Sequence, residues 1–356
     1  MKSGESASSQ VADRIRNKII DGLWTAGSRL PPRVEMIAEL GSNATVVQQA
    51  VTRLAEEGFL VTRSRKKGTL VVERLPHRCH FRLIYPYGKE RWGQFFHAVE
   101  DAIATLNQEE LRFSGFYGLS RHGDIAEYEA IIDEVKSQRV AGLIFLSGAN
   151  EYRGTPLLDA PGVHRVALTQ KKDLPGVPKV ELDRKGFIKQ AVDHLKKNGK
   201  ARTAILCSNT DTEMTNFFRK ELARNGMTGD LRWEQYADIR NPVSAYNIIR
   251  LMVGAEQQCR PDSLIVTDDN LITAAAQAVH TSGLAENGKF SLVTMSNFPR
   301  LVDCCVPVTH IGFDIPAVME SLISILQNLV DGKGAKEHAF APAITQAQFE
   351  KRRLGL

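Results

Sequence analysis

The chain has 356 residues, of which 43% are hydrophobic and 24% are charged, a composition ordinary for a globular protein of two or three domains. No apolar run approaches the about 20 residues of a membrane span, and the polar start MKSGESASSQ lacks the apolar segment of a secretory signal. We therefore expect a cytoplasmic protein without a membrane partner, whose five cysteines are reduced thiols.

The positive charge is concentrated near the amino terminus. Residues 1–75 carry 12 lysines and arginines against 8 acidic residues, whereas the rest of the chain carries 34 against 33. This distribution predicts a small domain, 1–75, that faces a polyanion, and a large, nearly neutral domain, 76–356, that faces something else.

The first domain begins with three helical patterns. In SSQVADRIRNKIIDGLW the apolar residues fall on one helical face, with Ser8 or Ser9 as the expected N-cap and Gly22 as the stop. PPRVEMIAELG and SNATVVQQAVTRLAEEG repeat the pattern and end at Gly41 and Gly58. The second and third helices, joined by a tight turn, predict a helix-turn-helix.

A strand-like hairpin follows the helices: FLVTR and TLVV are joined by SRKKG. The complete pattern predicts a winged helix-turn-helix of α+β class. The turn cations Arg63, Arg65, Lys66 and Lys67 can reach phosphates, and Gly68 lets the backbone come close. In isolation the turn could equally be a solvated charged loop. Behind a helix-turn-helix it predicts contact with double-stranded DNA.

The segments AGSRLPP, AELG, TVVQQAVTRLAEEGFLVTR and KKGTLV resemble the DNA-binding domain of the GntR family of bacterial transcriptional regulators, over roughly residues 8–73. Val34, Ala44 and Gln48 stand where the family typically has DNA-contacting arginines, and Arg33 could replace the first of them. The resemblance therefore implies operator binding, with an operator sequence different from the family's usual one.

The recognition helix supplies the remaining DNA-contact candidates. Gln48 can pair bidentately with adenine, and Thr45 can contact a phosphate or a thymine methyl group. Asn43 and Gln49 complete the set, although Gln49 could also be an ordinary polar surface residue.

From residue 79 onward, strand and helix patterns alternate over 200 residues, which predicts an α/β fold with parallel sheets. Such folds bind ligands at the carboxyl ends of their strands. The chain contains no GxGxxG, GxxxxGK[ST], GxSxG or HExxH motif, so the sequence supports neither an enzyme nor a cofactor. His77 and His80 in HRCH lack a second ligand cluster, and we predict no metal site.

VELDRKGFIKQAVDHLKKNGKARTAIL, RPDSLIVTDDNLITAAAQAVHTSGL and VTHIGFDIPAVMESLISILQNLVDG resemble LacI-type sugar-responsive regulators and periplasmic binding proteins over about residues 79–350. A GntR-type head on such a body resembles the arabinose repressors. The resemblance implies two α/β lobes about a hinge, with lobe one at 79–182 plus a return near 301–333. Lobe two is then 183–300 plus the tail.

The resemblance also implies a ligand between the lobes. Trp92 stands near the ligand by position, although it could simply pack at the start of a helix. Asp269, beside Asp268, matches a ligand-facing acid, although it could instead cap a helix. Ser296 and Asn297 replace the family's acidic pair, and Met214 replaces its sugar-clamping arginine. Further candidates are Ser147, Asp183 and Arg184.

The sequence thus predicts a ligand-responsive bacterial regulator, more often a repressor in such proteins, that binds an operator as a homodimer and responds to a sugar or sugar derivative. Two alternatives remain open. One is a DNA-binding scaffold with a degenerate ligand cleft, and the other is a solute-binding or enzymatic α/β module.

Overall fold

The computed structural model describes residues 6–64, 68–106, 110–117, 125–169, 174–254, 257–285 and 288–355. Within these ranges, no helix combines the length and the apolar character that crossing a lipid bilayer requires. The same ranges contain no group of three or more histidine, cysteine, aspartate or glutamate side chains that could hold a metal ion.

The amino-terminal part, residues 6–75, is called the head. Its elements are α1 (Ala7–Ile20), α2 (Arg33–Leu40), α3 (Ala44–Glu56) and the antiparallel strands β1 (Leu60–Ser64) and β2 (Gly68–Val71). Apolar residues three and four positions apart on each helix pack into one core, because that spacing places them on a single face. The head is the predicted winged helix-turn-helix.

Local chemistry fixes where the helices of the head end. Gly41 ends α2 in the left-handed conformation, with a φ of 58°, and Gly58 follows α3 with a φ of 82°. The predicted cap of α1 is wrong by two to three residues. The N-cap is Ser6, whose hydroxyl accepts a hydrogen bond from the backbone N–H of Ser9 at 3.2 Å. Ser8 therefore lies inside the first turn together with Ser9.

The rest of the chain is called the body, and it begins with the short helix α4 (Pro76–Cys79). Its further elements are β3 (His80–Ile84), α5 (Gln94–Thr105), β4 (Arg112–Phe116), α6 (Ile125–Lys136), β5 (Gly142–Phe145), α7 (Pro156–Asp159), β6 (His164–Leu168), β7 (Lys179–Leu182), α8 (Arg184–Lys197), β8 (Thr203–Cys207), α9 (Thr212–Arg224), β9 (Glu234–Tyr236), α10 (Pro242–Val253), β10 (Ser263–Val266), α11 (Ile272–Thr281), β11 (Ser291–Phe298), β12 (Val308–Asp314), α12 (Ile315–Val330), β13 (His338–Ala341), β14 (Ile344–Thr345) and α13 (Gln346–Arg353).

Two six-stranded sheets organise the body into two lobes. The sheet of lobe one has the order β13-β7-β6-β5-β3-β4, and the sheet of lobe two has the order β14-β12-β11-β10-β8-β9. Within these two sheets, β14 alone among the described strands runs antiparallel to its neighbour. Central strands such as β5 and β10 are buried along their whole length, because helices cover both faces of a parallel sheet. The predicted two-lobe α/β body is confirmed.

The chain passes between the lobes three times: between β7 and α8, between β12 and α12, and between β13 and β14. α12 packs against α5, β5 and β6 of lobe one. The predicted return to lobe one was placed too early. β12 pairs in parallel with β11 and so belongs to lobe two, and the return begins at Ile315.

A buried carboxylate joins the head to the body. Glu57, whose side chain is 6% exposed, lies 2.5 Å from Arg16 and 2.8 Å from Arg53 in the head. Arg139 of lobe one approaches the same carboxylate at 4.0 Å. Burial raises the pKa of Glu57, but the hydrogen bonds from Arg16 and Arg53 outweigh burial and leave it below its ordinary value. The carboxylate therefore stays charged and neutralises cations from both domains.

We expect Glu57→Gln to destabilise the head by about 3 kcal/mol, because buried Arg16 loses a charged partner. This destabilisation should have its full size above the ordinary glutamate pKa of 4.5. It should shrink as the pH drops below that value and through the still lower pKa of folded Glu57, because protonation removes the same charge from the wild type. Hydrogen exchange of the α1 and α3 amides measures it. Glu56→Gln, at an exposed neighbour, is the control, and equal exchange in the two variants would contradict the role of Glu57.

Candidate DNA-binding surface and effector cleft

Helix α3 divides cleanly into a buried face and a polar face. Val47, Ala50 and Leu54 are fully buried in the head core. The predicted DNA-contact residues Thr45, Gln48 and Gln49 are exposed on the other side, as is Thr52, one turn further along. Thr52 was not among the predicted contacts, although its spacing from Gln48 and Gln49 places it on the same helical face. This stripe has the polarity and exposure that base contact in a groove requires.

Asn43 has a structural duty in addition to its predicted one. It is the N-cap of α3, and its side-chain oxygen accepts a hydrogen bond from the backbone N–H of Val46 at 3.0 Å. The sequence analysis offered Ser42 or Asn43 for this position, and the structure selects Asn43. Its amide group can therefore contact DNA, but its carbonyl oxygen is already engaged.

Arg33 and Gln48 come together although they lie on different helices. The guanidinium of Arg33, the first residue of α2, donates to the side-chain oxygen of Gln48, whose amide points to Thr52 at 3.4 Å. Val34, beside Arg33, has a 78% exposed side chain. The polar face of α3 is thus extended by one cation and one apolar group of α2.

The wing is held by a glycine and by an arginine that the sequence analysis missed. Gly68 has a φ of 70°, and a Cβ at this position would lie 2.8 Å from Nε of Arg29. Arg29, exposed and bridged to Leu70, therefore crosses the base of the wing. Arg63 is exposed at the end of β1. The other predicted wing cations, Arg65, Lys66 and Lys67, lie outside the described residues.

A cleft of about 560 Å³ lies between the two lobes. It opens at the carboxyl ends of β5, β6 and β7 in lobe one and of β8, β10 and β11 in lobe two, the edge at which parallel sheets bind ligands. Its lining includes Phe95, Phe96, Ser147, Asn150, Glu151, Thr169, Arg184, Asn209, Asp268, Asp269, Asn270, Met295 and Asn297. The geometry brings together five of the predicted candidates: Ser147, Arg184, Asp268, Asp269 and Asn297.

Three buried polar atoms in this cleft lack a hydrogen-bond partner among the described residues: Oδ1 of Asn150, Nε of Arg184 and Oδ1 of Asp269. Buried polar atoms in folded proteins are nearly always paired, because an unpaired one costs free energy. All three residues line one cavity, Asn150 from lobe one and Arg184 and Asp269 from lobe two, as a site for a polar ligand would require.

Asp269 is the most strongly perturbed group of the cleft. It is 3% exposed, and its Oδ2 accepts a hydrogen bond from Nδ2 of Asn297 at 2.9 Å. Burial, reinforced by the neighbouring charge of Asp268, raises the pKa of Asp269 to about 7. The helix-cap alternative for Asp269 is wrong, because α11 begins at Ile272 with Leu271 as its N-cap. The carboxyl group is therefore not used as a helix cap, and Asp269 lines the cleft.

Three predicted ligand residues have other surroundings. Trp92 is absent from the cleft lining formed by the described residues, and it stacks on Tyr85 at a centroid distance of 4.7 Å. Ser296 is fully buried and hydrogen-bonds Nδ1 of His310 at 2.9 Å. Asp183 caps α8 by accepting from the N–H of Gly186 at 2.8 Å. Since strand side chains alternate between faces, Asn297 points toward the cleft and Ser296 points away from it.

The aromatic groups of the cleft are Phe95 and Phe96, from the first turn of α5. The aromatic residue predicted here, Trp92, precedes the first of them by three residues. Asn150 and Asn209 were also missed, because single asparagines after a strand carry no distinctive spacing.

Asn270 connects the two lobes at the edge of the cleft. Its side-chain oxygen accepts a hydrogen bond at 3.0 Å from the backbone N–H of Gln94, at the start of α5, where Gly93 provides no side-chain cap. Oδ1 of Asp268 holds Asn270 in place by accepting from its backbone N–H at 3.0 Å and its amide at 2.6 Å. A residue of lobe two thus caps a helix of lobe one.

Comparison with known proteins agrees with this division. Residues 7–71 match the family model "Bacterial regulatory proteins, gntR family", and residues 192–346 match the model "Periplasmic binding protein-like domain". The chain carries a GntR-type helix-turn-helix domain followed by a periplasmic-binding-protein-like domain. An uncharacterized HTH-type transcriptional regulator of Rhizobium meliloti is 42% identical over 62 residues, 17% of this chain and 25% of that protein.

The GntR-type head also resembles the histidine utilization repressor of Klebsiella aerogenes, with 34% identity over 64 residues, 18% of this chain and 26% of that protein. The chain thus spans about a quarter of the length of the curated relatives it matches.

Solved structures show the fold of the periplasmic-binding-protein-like body. A LacI transcriptional regulator from Bacillus cereus subsp. cytotoxis NVH 391-98 superposes with a TM-score of 0.61 at 15% identity, covering 75% of this chain and 96% of that one. The transcriptional regulator CelR in complex with cellobiose gives a TM-score of 0.62 at 18% identity, covering 89% of this chain and 98% of that one. The body therefore has the fold of LacI-type regulators.

We expect Asp269→Asn to stabilise the ligand-free protein at alkaline pH, because asparagine resembles the neutral acid. A folded pKa of about 7 against an ordinary 3.8 means that the carboxyl group costs increasing stability as the pH rises between these values. The gain in Tm should be small at pH 4 and roughly 5 °C at pH 8. Thermal melts across this range measure it.

Asp303→Asn, which changes an exposed carboxylate of lobe two, is the control and should show no pH-dependent gain. A gain for Asp269→Asn that does not change between pH 4 and pH 8 would contradict the buried ionisation.

Proposed function

We propose that this protein is a ligand-responsive bacterial transcriptional regulator that binds an operator through α3 and the wing. The observation that carries the proposal is the exposed polar stripe of α3 on a head whose other helical faces form its core. Such a surface fits the major groove, with the wing cations on the flanking phosphates. Repression is the favoured outcome, supported by the head's likeness to a histidine utilization repressor.

We propose residues 1–75 as the DNA-binding domain and residues 76–356 as the effector-binding and dimerisation domain. A homodimer would present two heads to two half-sites of an operator. The effector is proposed to be a sugar or sugar derivative held between the lobes. The polar lining of the cleft supports this class, as does the fold shared with CelR, whose structure contains cellobiose.

Lobe movement supplies the proposed link between effector and operator. An effector that contacts both lobes favours the closed arrangement, and closure changes the spacing of the two heads. Glu57 and Arg139 lie where the head meets lobe one, so the head would follow that lobe. A coupling of about 1–3 kcal/mol is typical of such regulators. A scaffold with a degenerate cleft is disfavoured, because three buried polar atoms would then stay unpaired, at a cost in stability, with no ligand to pair with them.

We expect Gln48→Ala to relax base preference at one operator position, by about 1–3 kcal/mol of discrimination, with a smaller effect on total affinity. Lys66→Gln combined with Lys67→Gln should instead weaken binding to all sequences and flatten its salt dependence. Binding-site selection, followed by anisotropy titrations at several salt concentrations, separates the two effects. Unchanged preference in the first variant would move base readout to Thr45 or Asn43, and unchanged binding in the second would exclude the wing.

We expect Asn270→Ala to weaken effector binding about fivefold, because the arrangement in which Asn270 of lobe two meets Gln94 of lobe one loses one hydrogen bond of about 1 kcal/mol. Operator affinity without effector should stay within twofold of wild type. The effector is first found by a thermal-shift screen of sugars and sugar derivatives, and its affinity is measured by calorimetry. Gln277→Ala, at an exposed position on α11, is the control. Equal effector affinity in both variants would mean that this contact does not favour closure.

A further inference from the structure

Arg184 is a cation without an ion-pair partner among the described residues. It is the first residue of α8, its Nε is buried without a hydrogen-bond partner, and no described carboxylate lies within 4.0 Å of its guanidinium. It lines the cleft between the lobes, and it also lines a recess of about 40 Å³ that shares part of the cleft wall. Among the residues lining these two cavities, Arg184 is the sole cation.

Asp183 precedes Arg184 in the chain, Asp211 and Asp268 line the same recess, and each of the three accepts hydrogen bonds from other groups. Asp183 caps α8 through Gly186, and Asp211 caps α9 by accepting from the N–H of Met214 at 3.0 Å. Asp268 accepts two hydrogen bonds from Asn270. The recess therefore holds a cation that none of these three carboxylates approaches. An uncompensated, partly buried charge is costly, so a partner from outside the chain would be favoured.

The recess has the size and lining of a site for a small anion. Its volume of about 40 Å³ leaves room for a small group such as a carboxylate. Ser208 and Asn209 add a hydroxyl and an amide donor beside Arg184. Arginine matches a carboxylate with two parallel hydrogen bonds, which favours this anion over a neutral hydroxyl group.

The rest of the cleft calls for hydrogen-bond donors from the ligand. The other unpaired atoms among the residues that line the cleft are the Oδ1 atoms of Asn150 and Asp269, and both accept hydrogen bonds when Asp269 is ionised. Hydroxyl groups can donate to both, and the cavity of about 560 Å³ leaves room for a ring or chain that carries several of them. Phe95 and Phe96 supply an apolar face for its carbon skeleton.

We propose that the effector is a polyhydroxylated carboxylic acid, a sugar acid whose carboxylate pairs with Arg184 and whose hydroxyl groups donate to Asn150 and Asp269. This inference rests on the proposed effector site between the lobes and narrows its ligand to one chemical class. Arg184 is then the residue that distinguishes an acid from the neutral sugar of the same skeleton.

The first experiment is a calorimetric comparison on the full-length protein. D-glucuronate, D-galacturonate and D-gluconate are titrated beside D-glucose, D-galactose and D-glucose 6-phosphate. At least one acid should bind at least tenfold more tightly than its neutral parent and than the phosphate. Equal or tighter binding of a neutral sugar overturns the acid class but leaves the effector cleft in place. Tighter binding of the phosphate overturns the carboxylate, and failure of every acid to bind overturns the proposal.

The second experiment begins with melts of the ligand-free protein and then repeats the acid and neutral-sugar titrations. Arg184→Met should raise the Tm of the ligand-free protein by about 2 °C, because it removes an uncompensated cation, and should abolish the preference for acid over neutral sugar. Lys189→Met, at another exposed position on α8, is the control and should change neither. A lower Tm for Arg184→Met would show that Arg184 is a structural residue and would overturn the proposal. Operator titrations of both variants test the regulator function separately.

Discussion

The common direction of the strands in a parallel sheet is the constraint on which the body depends. A parallel sheet must cover both faces with helices, so its strands are apolar and its polar chemistry is confined to the loops at the strand ends. In this protein the carboxyl ends of both sheets line one cleft, because the chain passes between the lobes three times. Asp268 and Asp269 after β10, and Asn209 after β8, lie in the cleft for this reason.

The sequence predicts the fold class well, because periodicity and punctuation are local properties. The helices of the head, their stops at Gly41 and Gly58, and the alternation of strands and helices in the body all follow from spacing along the chain. The strand that returns the chain to lobe one was assigned to the wrong sheet. Its own residues, VTHIGFD, do not encode its neighbour, and β12 joins β11 of lobe two.

The cleft could be predicted only in part. Asp268 and Asp269 follow an apolar strand and precede a helix, a pattern that marks the edge of a sheet, and they lie in the cleft. The directions in which the side chains point could be assigned only from the three-dimensional structure. Ser296 and Asn297 are adjacent in sequence, yet the alternation of the strand sends Ser296 to His310 and Asn297 to Asp269. The ligand contact predicted for Trp92 is not seen, because its ring stacks on Tyr85 instead.

The cap that α5 receives from the opposite lobe constrains the residue types at its two contact positions to different degrees. Gln94 contributes only its backbone N–H, which every residue except proline possesses, whereas Asn270 contributes a side-chain oxygen held in place by Asp268. In a population of related sequences, position 94 is therefore free to drift, while position 270 is confined to the few residue types that can cap a helix. A contact that joins the lobes can thus leave its trace in the sequence on one side of the cleft alone.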